Sequence, residues 1–323
     1  MKRLLLLICT LCFGFSALGE GQIHLYGERH GDEALLKREL TLWQNAYAQG
    51  QRHLFLELPY YTAQYLNQWM ASPSDALLEA VYRDWTGTAS YQPQVKSFYQ
   101  AIKSACPETV FHGVDVGHQY HTTGRRYLAE SKPGSPDYLA AQACIRQGEI
   151  YYQTGDSQYR ENCLAENFIA AQEPLGGEAV TGIFGSAHTN PGQVGSLAPQ
   201  LWAHYGSRLQ CTDLTALPLS TQTLDFMGSS CTASYFGRQD LSSFLPQYSH
   251  REFYRLENTY ELCRNLPLTG NVLPYGNYPM PIEKGQVFLI VMTLQDGSQQ
   301  YEYHRSDGHL WQNQPVTSQF LLP

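Results

Sequence analysis

Four short apolar runs in the sequence end in side chains that can transfer protons or bind metal ions. Residues 23–26 lead into Gly-Glu-Arg-His at positions 27–30, and residues 179–184 lead into Gly-Ser-Ala-His at positions 185–188, so the spacing Gly-x-x-His occurs twice. Two further runs end at Glu57 and at Asp115. The candidate catalytic residues are therefore Glu28, His30, Glu57, Asp115 and His188.

Two kinds of chemistry suit this set of side chains. In the first, His30, Glu57 and His188 bind a divalent metal such as Mn, Co or Zn, which keeps an open position and activates water. In the second, one histidine is a general base whose neighbouring carboxylate fixes its tautomer and raises its basicity, while a second carboxyl is kept protonated. Both routes end in hydrolysis. A serine nucleophile fits less well, because Gly-x-Ser-x-Gly is absent.

Each of these residues, taken alone, is equally well explained as a helix cap or as a partner for backbone N–H groups at the end of a strand. The set as a whole is not explained in this way, because a single sheet edge needs no such accumulation of acids and imidazoles. The combination of Glu28, His30, Glu57 and His188 therefore favours an active site.

The apolar runs have the length and composition of buried β-strands, and the segments between them have helical periodicity. Residues 32–50, for example, carry apolar side chains at helical spacing between the first run and the second. Strands joined by such helices lie parallel, and their carboxyl ends meet at the edge where open α/β sheets bind ligands. The sequence therefore predicts an α/β fold with a mainly parallel sheet, helices on both faces and helical insertions.

Several residues near the predicted strand ends could bind the substrate. Loop 85–91, within a helical insertion, either folds over the sheet edge or is an ordinary connector. A helix that starts after the third run would bring a guanidinium close to an anionic group of the substrate. The competing interpretation for either arginine is a solvated side chain on a helix. The candidate substrate-binding residues are His118, Tyr120, Arg125 and Arg126.

The chain divides into four parts by composition. Residues 1–19 have a basic start, a short apolar segment and a small-x-small exit, which is typical of a secretory signal peptide. We expect residues 20–215 to form the α/β core, residues 216–246 a linker, and residues 247–323 a small antiparallel β appendage. In the appendage, Asp-Gly pairs at 296–297 and 307–308 are strong signals for hairpin turns.

Charge and cysteine content narrow the class of protein. The 29 acidic residues exceed the 21 basic residues, giving a formal net charge of -8, which does not favour binding to nucleic acid. After the signal peptide no apolar run is long enough to span a membrane, so we expect a secreted or periplasmic protein acting on a small molecule or a peptide. An even number of cysteines in an exported chain favours disulfides, with free buried thiols as the competing interpretation. These cysteines are Cys106, Cys144, Cys163, Cys211, Cys231 and Cys263.

At its two Gly-x-x-His elements the sequence resembles the erythromycin esterase, ChaN-like and TraB/Tiki superfamily, over roughly residues 23–214. The resemblance implies that His30 and His188 are the paired histidines and that Glu57 is the central glutamate. It also matches Glu28 to the acid of the Gly-Glu motif in the esterase and haem-uptake branches. The implied function is hydrolysis of an ester, a lactone or an amide. The alternative is a ChaN-like protein that binds haem or another ligand without catalysis.

The chain departs from individual branches of this superfamily at specific positions. One residue separates Glu28 from His30, as in the ChaN-like branch, whereas the erythromycin esterase motif has two residues there. TraB/Tiki proteins usually carry an arginine after the Glu-Leu pair, where this chain has Tyr60 and Tyr61. The branch, and with it the substrate, therefore stays open.

Overall fold

The computed structural model describes residues 21–323, and a parallel sheet forms the centre of the first part of this range. The predicted signal peptide, residues 1–19, lies outside the described residues. The strands of the sheet are β1 (Ile23–Glu28), β2 (His53–Pro59), β3 (Val110–Asp115), β4 (Val180–Gly185) and β5 (Leu209–Asp213). Their spatial order is β3-β2-β4-β1-β5, and all neighbours are parallel. The predicted α/β class is confirmed.

Helices cover both faces of this sheet. Leu54 and Leu56 of β2 belong to one hydrophobic cluster, which also contains Trp43, whereas Phe55 between them belongs to a second cluster with Phe168. This alternation follows from the period-two geometry of a strand. The helices are α1 (Glu33–Ala48), α2 (Tyr60–Met70), α3 (Ala76–Asp84), α4 (Pro93–Ala105), α5 (Arg125–Glu130), α6 (Pro136–Thr154), α7 (Ser157–Gln172), α8 (Ser186–Thr189) and α9 (Leu197–Tyr205).

Side-chain caps help to set where α1 and α7 begin. Asp32 accepts hydrogen bonds from two backbone N–H groups of α1, at 3.0 and 3.1 Å. Asp156 accepts one from the backbone N–H of Tyr159 at 3.1 Å, directly after Gly155 ends α6 with a φ of 66°. A cap of this kind contributes about 0.5–2 kcal/mol to stability. The sequence Gly155-Asp156 therefore sets the position of the first turn of α7.

The C-terminal part of the chain forms an antiparallel sheet that is larger than the sequence predicts. Its strands are β6 (Ser220–Phe226), β7 (Ser229–Asp240), β8 (Tyr248–Leu256), β9 (Leu268–Pro274), β10 (Val287–Leu294), β11 (Gln299–Arg305), β12 (Leu310–Trp311) and β13 (Gln314–Phe320). They lie in the order β12-β13-β11-β10-β8-β7-β6, and β9 pairs with β13. A short helix α10 (Tyr260–Cys263) lies between β8 and β9.

The prediction of a linker at residues 216–246 is wrong, because β6 and β7 lie within it. They form a hairpin whose two turn residues, Met227 and Gly228, have φ values of 54° and 76°. Both central residues of a type I′ turn need positive φ, and Asn-Gly or Asp-Gly is the usual sequence signal for it. A Met-Gly turn between two Ser- and Thr-rich segments gives no such signal.

One of the two predicted Asp-Gly hairpin turns is confirmed. Residues 296–297 join β10 to its antiparallel neighbour β11. Residues 307–308 do not make a hairpin, because β11 pairs with β13 and not with β12. The turn between β12 and β13 instead contains Gln312 and Asn313, with φ values of 51° and 61°.

The six cysteines that the structure describes are all free thiols, and four of them are buried. The expectation of disulfides is therefore wrong for this part of the chain, and the competing interpretation of free thiols fits. Cys106 and Cys144 pack in a hydrophobic cluster of the α/β part, whereas Cys263 packs in a cluster of the antiparallel sheet. Free cysteine behaves in such places as a small apolar side chain. In residues 21–323 we find no helix with the length and apolar character needed to cross a membrane.

Candidate active site

Three carboxylates, those of Glu28, Glu57 and Asp115, lie at the C-terminal ends of strands in the parallel sheet. The backbone register pairs Glu28 with Gly185 and Asp115 with Pro59, so β1, β2, β3 and β4 end at one edge. Glu28 is only 7% exposed, and Asp115 is fully buried. Buried carboxylates need partners, because an isolated buried charge is costly. The groups that pair with these carboxylates therefore indicate which chemistry this edge of the sheet supports.

His30 pairs with Glu28 to form a dyad. The Nδ1 atom of His30 contacts the carboxylate of Glu28, and its Nε2 atom lies 3.6 Å from Oε1 of Glu57. The His30 side chain is 46% exposed, whereas that of Glu28 is 7% exposed. The carboxylates of Glu28 and then of Glu57 raise the pKa of His30 to about 11, against a smaller lowering by burial. His30 in the free site is therefore an imidazolium at neutral pH.

Glu57 contacts Arg160, His188 and the backbone of Gly185 at the centre of this group of side chains. Its Oε1 atom lies 2.5 Å from Nη2 of Arg160 and 3.1 Å from Nε2 of His188, and its Oε2 atom accepts the backbone N–H of Gly185 at 2.7 Å. Burial raises the pKa of Glu57, but the nearby imidazole rings of His188 and then His30 outweigh burial and hold that pKa well below its ordinary value. Glu57 is therefore a fixed anion and a poor proton acceptor.

Arg160 joins two strand ends and is the main site residue that the sequence analysis missed. Its Nε atom lies 3.0 Å from Oδ1 of Asp115, and its Nη2 atom lies 2.5 Å from Oδ2 of the same carboxylate as well as from Glu57. Burial raises the pKa of Asp115, yet His118 and Arg160 together lower it below its ordinary value. This guanidinium comes from the first turn of α7 and not from the residues that directly follow Glu57 in the chain.

His188 lies behind Glu57. It is 8% exposed, and its Nδ1 atom lies 2.7 Å from Oε1 of Glu161, a second residue of α7 that the sequence analysis did not single out. Burial lowers the pKa of His188, but Glu161 and then Glu57 raise it to about 10. Because His188 is an imidazolium held between two carboxylates, its geometry suits positioning of Glu57 better than proton abstraction.

One of the four predicted substrate-binding residues, His118, lies in the site. Its Nε2 atom is 2.9 Å from Oδ2 of Asp115, and its Nδ1 atom is 2.6 Å from the hydroxyl of Tyr152. Both aromatic side chains line the cavity described below.

The other three predictions need correction, because Tyr120, Arg125 and Arg126 do not line this cavity. A π-helical turn at Tyr120–Gly124 delays the start of α5 to Arg125. Arg125 is exposed to solvent. Arg126 donates instead to Asp84 of α3, at 2.7 Å.

A cavity of about 290 Å³ opens beside these side chains. Trp85 and Ser90 of the loop that follows α3 line the same cavity as the strand ends, so this loop lies over the edge of the sheet. Ionisable side chains line one part of the cavity, and mainly apolar side chains line the rest. Its lining includes Glu28, His30, Glu39, Glu57, Asp115, His118 and Arg160 together with Leu36, Leu56, Leu58, Trp85, Thr88, Ala89, Ser90, Val95, Phe98, Tyr99, Tyr152 and Ile183.

The donor atoms of His30, Glu57 and His188 do not fit a divalent metal. Both nitrogens of His188 lie near carboxylates, and a guanidinium already occupies Oε1 of Glu57. A cation placed beside that guanidinium would be repelled. Within the described range, no three His, Cys, Asp or Glu side chains are arranged to hold a metal ion. The metal prediction therefore finds no support in this geometry.

No protein-family model and no curated protein matches the chain. Similar solved structures include a succinoglycan biosynthesis protein, with 14% identity and a TM-score of 0.47 over 74% of this chain and 77% of that chain. A mutant of the erythromycin esterase EreC in its open conformation has 10% identity and a TM-score of 0.43, over 73% and 83% of the two chains. A Bacillus cereus protein has 12% identity and a TM-score of 0.42, over 64% and 68%. One of the three is thus an erythromycin esterase, but TM-scores below 0.5 do not support a functional assignment for this chain.

Proposed function

We propose that the protein is an exported hydrolase that cleaves an ester, a lactone or an amide with water activated by the dyad of Glu28 and His30. The orientation of the His30 ring carries this proposal. Its Nδ1 atom is paired with a buried carboxylate, while its half-exposed side chain lines the cavity. A carboxylate on Nδ1 favours the tautomer that has its lone pair on Nε2, which is what a general base requires.

In the proposed reaction, Nε2 of His30 removes a proton from a water molecule as the water oxygen attacks the carbonyl carbon of the substrate. The resulting imidazolium then returns this proton to the leaving oxygen or nitrogen as the carbon–leaving group bond breaks. Glu28 keeps the proton on Nδ1 throughout and stabilises the imidazolium. The products are a carboxylic acid and an alcohol or an amine.

Arg160 and His188 support this reaction in different ways. None of the bonds that Arg160 makes within residues 21–323 uses its Nη1 atom. A guanidinium fixed in place by two carboxylates is a preorganised donor for the oxygen on which negative charge develops. His188 does not line the cavity. It acts as a positioning residue, because it holds Glu57 in the orientation in which this carboxylate contacts Arg160 and lies near His30.

The substitution Glu28→Gln tests the dyad directly. In the wild type, hydrolysis should become faster as the pH rises from 7 towards the pKa of His30, because the base acts only after it loses its proton. Removing the carboxylate that raises this pKa should move the rise in kcat/KM to lower pH by about 1–3 units. The maximal kcat/KM reached at high pH should also fall, because Glu28 no longer fixes the tautomer of His30. The measurement is a pH–rate profile on 4-nitrophenyl esters, lactones and anilides.

The matched control is Glu33→Gln, which removes an exposed carboxylate of α1 that pairs with Lys37. It should leave the pH–rate profile unchanged. Because the donor set does not fit a metal, rates should be equal with and without EDTA. No hydrolysis of any substrate in this panel, or the same profile in wild type and Glu28→Gln, would overturn the proposal.

Gly185→Ala should reduce the rate without unfolding the protein. A methyl group at this position would lie 3.2 Å from Oε2 of Glu57 and 3.3 Å from Nε2 of His30, so one of the two must move by a few tenths of an ångström. Small misplacements of reacting groups are costly, and we expect kcat/KM to fall about 10–100-fold. Gly276→Ala is the control, since no atom lies within 4 Å of its added methyl group. Equal rates in both variants would contradict the assigned geometry.

Haem binding remains the alternative function. Its geometric support is weaker, because the nitrogens of His30 and His188 that would ligate iron already lie near carboxylates. A Soret band on titration with haem that disappears in His30→Ala would favour this alternative over hydrolysis.

A further inference from the structure

Glu39 is a buried carboxyl group beside the cavity that the proposed reaction does not use. It belongs to α1 and is only 2% exposed. Its Oε1 atom is buried without a hydrogen-bond partner among the described residues, although the side chain lines the cavity together with Glu28 and His30. A buried polar atom without a hydrogen-bond partner destabilises the fold. A ligand that reaches this carboxyl would remove that cost.

The surroundings of Glu39 favour its protonated, uncharged form. Burial raises the pKa of Glu39 well above its ordinary value, and the charges of Glu28 and Asp32 raise it further, against a lowering by His30. Tyr99 of α4 is a further titratable group near Glu39, and burial raises the pKa of this phenol as well, so Tyr99 stays neutral. A protonated carboxyl group has one O–H donor to offer.

We propose that Glu39 donates a hydrogen bond from its neutral carboxyl group to an uncharged oxygen of the substrate in the apolar part of the cavity. This inference rests on the proposed function, because it takes the cavity as the substrate pocket. Leu36, Val95 and Phe98 line the same cavity and suit an apolar chain. An anionic group there would meet the carboxylate of Glu28. The substrate is therefore a neutral ester or lactone that carries a second oxygen acceptor.

Pairs of matched esters test this assignment. 4-Nitrophenyl esters with an ether oxygen at the second, third or fourth position of the acyl chain are compared with esters that have a methylene group there. After correction for spontaneous hydrolysis, the wild type should prefer one ether ester by about 10-fold in kcat/KM, as expected for one hydrogen bond. Glu39→Leu should lose this preference. Glu39→Gln should keep most of it, because its amide N–H still donates.

An infrared spectrum supplies a second measurement that does not require turnover. The wild type at pH 7 should show a neutral carboxyl band that is missing in Glu39→Gln. Adding the anilide analogues of the three ether esters one at a time should shift this band with at least one of them, because a new acceptor binds the O–H group. The thermal stability of Glu39→Leu should equal or exceed that of the wild type, which shows that the variant folds.

The outcomes separate this inference from the proposed function. If the wild type hydrolyses no ester, lactone or anilide but one of the ether anilides shifts the carboxyl band, the proposed function fails and the role of Glu39 in binding stands. Absence of the band, a band that none of the ether anilides shifts, or equal ether preference in wild type and Glu39→Leu would each overturn the inference.

Discussion

Replacing Arg160 with methionine is expected to lower the free energy of unfolding by about 3–5 kcal/mol. The guanidinium forms ion pairs with the carboxylates of Glu57 and Asp115, whose side chains are 8% and 0% exposed. Methionine keeps much of the aliphatic volume but removes the charge, and the carboxylates would then lie close together in a region of low dielectric. Urea unfolding at pH 7 measures the loss, as a lower midpoint at an unchanged slope.

The control for this prediction is Arg126→Met. Arg126 pairs with Asp84 at 2.7 Å, but its side chain is 35% exposed, and pairs exposed to solvent contribute about 0–1 kcal/mol. If both arginine variants lose the same small amount of stability, Arg160 does not hold the strand ends together in the way that its bonds indicate.

Replacing His30 with alanine is expected to lower kcat/KM by about 10²–10⁴-fold, the usual contribution of a general base. The change removes the only histidine that both contacts Glu28 and lines the cavity within the described part of the chain. Glu57 cannot replace it, because the low pKa of Glu57 makes this carboxylate a weak base. Initial rates on the fastest ester of the panel, measured for wild type and variant at the same pH, give the ratio.

His121→Ala provides the comparison for His30→Ala. His121 is exposed, lies on the π-helical turn and does not line the cavity. Its substitution should leave the rate unchanged. A loss below about threefold in His30→Ala, with circular dichroism spectra that match the wild type, would remove His30 from the mechanism and leave the dyad without a function.

The sequence predicts the strand ends well because local pattern and chemistry agree there. Apolar alternation identifies a strand, and an acid or a histidine directly after it lies at the carboxyl edge of a parallel sheet. Glu28, Glu57 and Asp115 follow this rule and meet in the structure. The β6–β7 hairpin was missed because its Met-Gly turn obtains positive φ without the residues that usually signal it.

The partners of these strand ends are not encoded locally. Arg160 lies 103 residues after Glu57 in the chain, and only the packing of α7 against the sheet brings the two together. Glu39 is equally hidden, because a glutamate within an amphipathic helix usually faces solvent. A cap such as Asp156 predicts where α7 begins, but it does not predict which strand its first turn meets.

The loop between the two members of the dyad also reaches the C-terminal sheet. Arg29 donates a hydrogen bond to the backbone carbonyl of Tyr278, whose ring packs in the core of the antiparallel sheet. Arg38 of α1 donates to the carbonyls of Leu217 and Pro218 just before β6. Shearing the two sheets apart would therefore break a hydrogen bond of Arg29, the residue that links Glu28 to His30 in the chain, so a mechanical load on the C-terminal sheet reaches the backbone of the dyad.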